Sequence, residues 1–194
     1  MPTINVYIDG FNLYYGCLKD TPYRWLDLEK LSTTLVPGRY SIQAIKYCTA
    51  RVKALPHNPY VADRQDAYLR AVATIPNCSI HYGFFLVRVI KTEEKGSDVN
   101  LACQLVADAF GKKCDAALVI SNDSDLLAPI RIAKNLGLRV GFAPPVLRKN
   151  RRPSNQLKNV IDFTRTIRRG ILGNSQFPAE LTDARGTFHK PASW

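Results

Sequence analysis

The chain has 194 residues, 46% hydrophobic and 22% charged, the mixture of one soluble domain with a sizeable core rather than of a disordered segment or of two enzymes joined. Lysine and arginine total 27 against 16 acidic residues, and a net charge of +11 makes nucleic acid the first partner to consider. The cysteines, Cys17, Cys48, Cys78, Cys103 and Cys114, are odd in number and form no C-x-x-C, which argues against a disulfide framework or a zinc ribbon. The N-terminus shows no signal-peptide pattern, and no apolar run approaches about 20 residues. A cytoplasmic chain with no membrane partner is therefore expected.

Strand-like and helix-like patterns alternate, as in a parallel sheet covered by helices. Strands are predicted near Ile4 to Ile8, Ser41 to Thr49, Ser79 to Phe84, Ala116 to Ser121 and Arg139 to Phe142. A loop after the first strand leads to a helix over Asp27 to Leu35, with Leu28, Leu31 and Leu35 at helical spacing. Another helical pattern spans Pro59 to Ile75. A third, Asp98 to Phe110, carries Val99, Ala102, Cys103, Val106, Ala109 and Phe110 on one stripe, with Ser97 as its N-cap. The fourth, Asp125 to Asn135, stops at Gly137. The basic loop Phe85 to Gly96 has room for a short strand at Leu86 to Ile90; further on, a short helix is expected at Ser154 to Val160 and a last strand within Ile161 to Ile167. The domain is read as residues 1–169. Residues 170–194, rich in Gly, Pro and small polar residues, read as an extended tail anchored by Phe177, Leu181, Phe188 and Trp194.

In an open parallel sheet, ligands bind beyond the carboxyl ends of the strands. The first strand exits into Asp9-Gly10-Phe11-Asn12, and the strand Ala116 to Ser121 exits into Asn122-Asp123-Ser124-Asp125. Asp98 opens the helix that precedes this second strand. If the two strands are neighbours, all four aspartates converge and require a positive partner, because unpaired buried carboxylates are costly. Carboxylate, amide and water oxygens suit Mg²⁺ or Mn²⁺. Each residue also has a plain structural use: Asp9 and Asn12 as helix caps, Asp98 as a first-turn acid favoured by the helix dipole, Asp123 and Asp125 as turn residues. Gly10 is read as letting the chain turn with room for a ligand.

Positive charge is concentrated in Arg148, Lys149, Arg151, Arg152, Lys158, Arg165, Arg168 and Arg169, opposed only by Asp162, which reads equally as a solubilising face or a phosphate-binding stripe. No G-x-G-x-x-G follows the first strand, no P-loop is present, and His57, His81 and His189 have no metal-ligand spacing. A phosphoaspartyl phosphatase would want a second aspartate where Phe11 stands.

Three segments, VYIDGFNLYYG, KGSDVNLACQLVADAF and ALVISNDSDLLAPIRIAKNLGLRVGF, together resemble the NYN domain, LabA-like branch, of the PIN-like nuclease superfamily. The resemblance implies an α/β fold of the PIN-like, Rossmann-like kind, a three-layer sandwich with a central, mostly parallel sheet and helices on both faces. It also implies a metal-dependent ribonuclease. Carried over by motif, Asp9, Asp98, Asp123 and Asp125 are the Mg²⁺- or Mn²⁺-binding acidic set, Asn12 orders the first carboxylate or a water, and Lys95 meets a phosphate.

The leading expectation is an endoribonuclease in which Asp9, Asp98 and Asp123 hold the metal directly or through water and Asp125 assists from outside. Arg148, Lys149, Arg151 and Arg152 grip the RNA, single-stranded or structured, and Tyr14 or Tyr15 is available to stack on a base. A homodimer is an open option. The rivals are a non-catalytic RNA-binding or regulatory module and, behind it, a metal-dependent phosphatase, against which the extent of the basic stripe counts.

Overall fold

The computed structural model describes residues 1–54, 56, 58–87, 92–148 and 151–194. His57 and Lys149 lie outside the described residues, as do positions 88–90 of the expected extra strand.

The β-branched and aromatic run at the start forms β1 (Thr3–Asp9), which pairs in parallel with β2 (Ser41–Ala50) on one side and β5 (Ala116–Ile120) on the other. The sheet continues through β3 (Cys78–Val87) to β4 (Thr92–Lys95) in one direction and through β6 (Arg139–Phe142) to β7 (Phe163–Thr164) in the other. Its order is β4-β3-β2-β1-β5-β6-β7, with only the β3–β4 pair antiparallel. The expected strand beyond Phe84 is thus the continuation of β3 to Val87, and the return strand forms later, at β4.

Alternation along β1 sends Ile4, Val6 and Ile8 to one face and Tyr7 to the other. The first face is covered by α2 (Leu28–Leu35) and α3 (Val61–Ala73), the second by α4 (Ser97–Phe110) and α5 (Leu127–Asn135). Helices on both faces of a mostly parallel sheet make the α/β, PIN-like sandwich. None of the described helices is long and apolar enough to cross a membrane.

Four local expectations need correction. The loop expected between β1 and α2 starts only at Lys19, because α1 (Gly10–Leu13) and a π-helical turn over Tyr14–Leu18 follow β1 directly. The N-cap of α4 is Gly96, at φ +92°, and Ser97 is a buried first-turn residue, because a left-handed approach to the helix leaves the cap position to glycine. The stripe read on α4 is not the face that packs on the sheet. Leu101, Leu105, Asp108 and Ala109 are buried, while Val99, Cys103 and Phe110 face out. Finally, residues 170–194 are largely folded: α7 (Arg169–Asn174) is followed by the hairpin β8 (Glu180–Asp183) and β9 (Gly186–His189). Phe177 and Phe188 are buried as expected, and the Trp25 indole donates to the Pro178 carbonyl.

Asp108 stands in the inner face of α4 because three donors meet it. Its Oδ2 accepts from Asn5 Nδ2 at 2.9 Å and the Tyr7 hydroxyl at 2.7 Å, and it pairs with Lys46 Nζ at 2.6 Å. This buried cluster fixes the C-terminal half of α4 on β1 and β2. Burial pushes the thiols of Cys17 up to about 11 and of Cys48 and Cys78 up to about 12, so all three remain protonated at neutral pH.

The hairpin is held to α3 by a bidentate pair, with Arg70 Nε and Nη2 donating to Asp183 at 2.8 and 2.7 Å. The guanidinium holds the Asp183 carboxyl at about 2, below the usual carboxylate range. A depressed pKa contributes stability that is fully present above the unfolded value and is lost as pH falls toward the folded one. Asp183→Asn should therefore lower the thermal midpoint at pH 6, and the deficit should shrink as the pH is taken from about 4 toward 2. A deficit constant across that range by thermal unfolding would assign the anchoring elsewhere.

Candidate active site

Because β1 and β5 are adjacent and their connections leave toward opposite faces, the crevice beyond their ends is the switch point of the sheet. Asp9 ends β1 there, 3% exposed. Its Oδ1 accepts from the Asn12 backbone N–H at 2.9 Å, and its Oδ2 accepts from Asn12 Nδ2 at 2.8 Å and Ser121 Oγ at 2.9 Å. Asp9 is thus the N-cap of α1, and Asn12 orders its carboxylate. Burial raises the Asp9 pKa, opposed by these hydrogen bonds and reinforced by the negative charge of Asp123.

Three carboxylates gather in front of it. One oxygen each from Asp98, Asp123 and Asp125 lies within 4.8 Å of the others, with Asp98 and Asp123 half-buried and Asp125 exposed. Asp98 comes from the first turn of α4, entered through the left-handed Gly96. Asp123 and Asp125 come from the turn after β5, where Asp123 Oδ1 accepts from the Asp125 backbone N–H at 3.0 Å and caps a 3₁₀ turn, Ser124–Leu126, leading into α5. A Mg²⁺ ion bound at about 2.0–2.1 Å in octahedral geometry sets its ligand oxygens roughly 3 to 4 Å apart. The observed spacing therefore needs only a small contraction, and three hard oxygen donors suit Mg²⁺ or Mn²⁺.

Two residues that the sequence reading passed over tie the site together. Ser121, fully buried at the end of β5, donates to Asp9 and accepts from the Asp123 backbone N–H at 3.1 Å, joining the two strand exits. Asn122 donates to the Arg152 carbonyl at 3.0 Å, accepts from the Ser154 backbone N–H at 2.8 Å, and its own N–H reaches Asn12 Oδ1 at 3.3 Å. The basic segment is thereby fastened beside the acidic turn. Of the predicted phosphate contacts, Arg148, Arg151, Arg152 and Lys95 are exposed, Lys95 at the end of β4 just ahead of Asp98. The Arg148 guanidinium also donates to the Lys19 carbonyl at 2.9 Å and to Asp20 at 3.0 Å, a surface pairing. Gly10 makes room for a side chain of the protein itself, since a Cβ there would lie 2.8 Å from the Tyr47 hydroxyl. Gly16 does the same for the backbone, as a Cβ there would collide with the Pro145 carbonyl oxygen.

The sequence model of the NYN domain matches residues 3–167. The chain belongs to the NYN domain family. It is also 30% identical over 232 aligned positions, covering 97% of this chain and 74% of the relative, to a Pseudomonas putida protein named 6-hydroxy-3-succinoylpyridine 3-monooxygenase. A crystal structure of a Vibrio parahaemolyticus protein of unknown function shares the fold at a TM-score of 0.62 and 16% identity, covering 87% of this chain and 94% of that one. NYN domains are typically nucleases, and an acidic cluster is present in this one.

Asn122→Ala removes two hydrogen bonds of about 1 kcal/mol each and frees the segment carrying Arg151 and Arg152. We expect unfolding free energy to fall by about 1–2 kcal/mol and trypsin to cut faster after Arg151. Wild-type stability and an unchanged rate of limited proteolysis would show that Asn122 does not set the basic segment.

Proposed function

We propose that this NYN domain is a metal-dependent ribonuclease, acting as an endonuclease on RNA phosphodiester bonds. The observation that carries the reading is the convergence of Asp98, Asp123 and Asp125 at the switch point, beside the basic segment that Asn122 fastens there. Asp98, Asp123 and Asp125 would hold Mg²⁺ or Mn²⁺, which when bound lowers the pKa of a water and offsets charge on the scissile phosphate. Asp9, enclosed by Asn12 and Ser121, keeps the two strand exits in register and adds negative charge behind the pocket. Its role and that of Asp125 thus exchange relative to the sequence expectation. Arg151, Arg152 and Lys95 meet the backbone phosphates on either side, a contact that carries no sequence information of its own.

A second reading follows from the name of the Pseudomonas putida relative, oxygenation of a pyridine ring. Iron-dependent oxygenases commonly present two histidines and one carboxylate. The group that could hold a metal among the described residues is all carboxylate. Together with the basic segment, that donor set favours the phosphodiester reading.

The purified protein should cleave end-labelled RNA in Mn²⁺ or Mg²⁺ and should lose the activity in chelator. In Asp98→Asn, cleavage should fall by roughly two orders of magnitude while RNA binding survives. RNA bound without cleavage would favour the regulatory module, release of phosphate from small monoesters the phosphatase, and hydroxypyridine-dependent oxygen uptake with reduced nicotinamide the oxygenase. Apart from activity, an ion at ten times its Kd that binds only the folded chain adds about 1.4 kcal/mol, or roughly 3–6 °C in Tm for a domain of this size. Asp123→Asn should abolish that shift by differential scanning fluorimetry, and an unchanged shift would place the ion elsewhere.

A further inference from the structure

We propose that Tyr82 and Phe84, at the outer end of β3, form a subsite that stacks two unpaired bases of the RNA beside the carboxylate pocket. The subsite takes its ligand, RNA, from the ribonuclease reading and its geometry from β3. Cys78 and Ile80 pack on the core at the side of the sheet that α3 covers, and Tyr82 and Phe84 continue the same row of side chains. Here the rings come out into water: Phe84 is 58% exposed and Tyr82 42%. A single exposed ring is ordinary. Two at alternate positions of one strand, at the end of the sheet that carries the carboxylates, make a surface.

Spacing and neighbouring charge both point to bases. Alternate residues of a strand stand roughly 6–7 Å apart, whereas successive bases along one strand of a duplex rise by about 3.4 Å and cover one another's faces. Rings so spaced can each take a base only when it is unpaired and splayed from its neighbour, as on the sheet platforms that bind single-stranded RNA. The Arg51 guanidinium lies over the Tyr82 ring, 4.9 Å from its centroid, and donates to the Tyr82 hydroxyl at 3.3 Å, adding a planar cation to the surface. Lys95 pairs with Phe84 across the β3–β4 ladder, so the two side chains leave the same face. Lys95 also stands three residues before Asp98, on the way to the carboxylates. The acids of this region lie to the side: Asp66 is shared between Arg51 at 3.2 Å and Arg185 at 3.5 Å, and Glu93 is farther out on β4, opposite Leu86. The rings are mounted on α4, because Asn100 donates to the Tyr82 carbonyl at 3.0 Å and a Cβ at Gly96 would meet Gly83 and the Phe84 ring at 3.7 and 3.8 Å. Two strand spacings, roughly 10 Å, separate β3 from β1, so an RNA strand held at the carboxylates reaches the rings within a few nucleotides.

Fluorescence anisotropy of the full chain in chelator, where no RNA is cut, should compare a short labelled oligouridine with a blunt RNA duplex. Phe84→Ala and Tyr82→Ala should each weaken oligouridine binding roughly five- to a hundredfold. Circular dichroism, duplex affinity and the salt slope, which phosphate contacts set, should not change. Phe84→Trp and Tyr82→Phe should keep wild-type affinity, and Phe84→Leu, apolar but without a ring, should behave as the alanine variant does. A fluorescent adenine analogue placed in the strand should be quenched on the wild type and not on Phe84→Leu. Alanine variants that bind oligouridine as tightly as the wild type would overturn the proposal, as would equal losses on the duplex, full binding by Phe84→Leu, or a wild type that binds no RNA. With Mg²⁺ or Mn²⁺ added, the two readings separate. RNA left uncut while the alanine variants lose affinity keeps the subsite and rejects the ribonuclease; RNA cut with affinities unmoved by the variants does the reverse.

Discussion

The site depends on a single buried carboxylate. Asp9 is removed from water at the end of β1, a position that would be prohibitive for a charge without partners, and it is kept there by donors drawn from both strand exits. The Asn12 bonds start α1 directly at the end of the strand, with no loop residue between. The Ser121 bond fastens the exit of β5 to that of β1, and through Ser121 Oγ the Asp123 backbone is fixed as well. Removing the charge would spare its desolvation but would release three donors that now share one carboxylate. The placement of Asp123 therefore follows from the buried carboxylate.

Much of this was legible because strand exits obey a topological rule. Once the runs Ile4 to Ile8 and Ala116 to Ser121 are placed side by side, Asp9 and the Asn-Asp-Ser-Asp turn must share a crevice, whatever the details of packing. Ser121 and Asn122 escaped notice because most of their partners, Asp9, Asn12, Arg152 and Ser154, stand thirty or more positions away in the chain, and no spacing announces them. Gly10 was misread for a related reason. A glycine signals close approach but not by what, and here the approaching group is the Tyr47 ring. The folded C-terminal stretch was hidden by its composition. Its order comes from partners elsewhere in the chain, Trp25 and Arg70 among them, and not from local propensity.

Opposite charges coexist at the site because different elements deliver them. The acids come from the starts of α4 and α5, where helix termini tolerate negative charge, and the arginines from an irregular segment after β6 that needs an outside anchor. Asn122 supplies that anchor with its side chain amide, which can donate to one backbone group and accept from another at once. An aspartate at the same position could not donate, so the amide is what the geometry requires. Fold alone would not have fixed this chemistry, since relatives sharing one scaffold can differ in what they do.

The hydrophobic pattern of α4 carries a lesson of its own. A helix that only needs to cover a sheet requires one apolar stripe, with polar residues turned outward. In α4 the allocation is reversed at its C-terminal end: Asp108 is turned inward, where Asn5, Tyr7 and Lys46 satisfy it, while Phe110 is turned outward. Periodicity registers both stripes and cannot rank them, which is why Val99, Ala102, Cys103, Val106, Ala109 and Phe110 looked like one coherent face from sequence, although Ala109 belongs to the buried one. Three donors decide which stripe turns inward, because a buried carboxylate so well partnered locks the rotation of the helix about its axis. With that rotation set, the remaining apolar stripe is left in water, and its exposure is a consequence of how Asp108 is held.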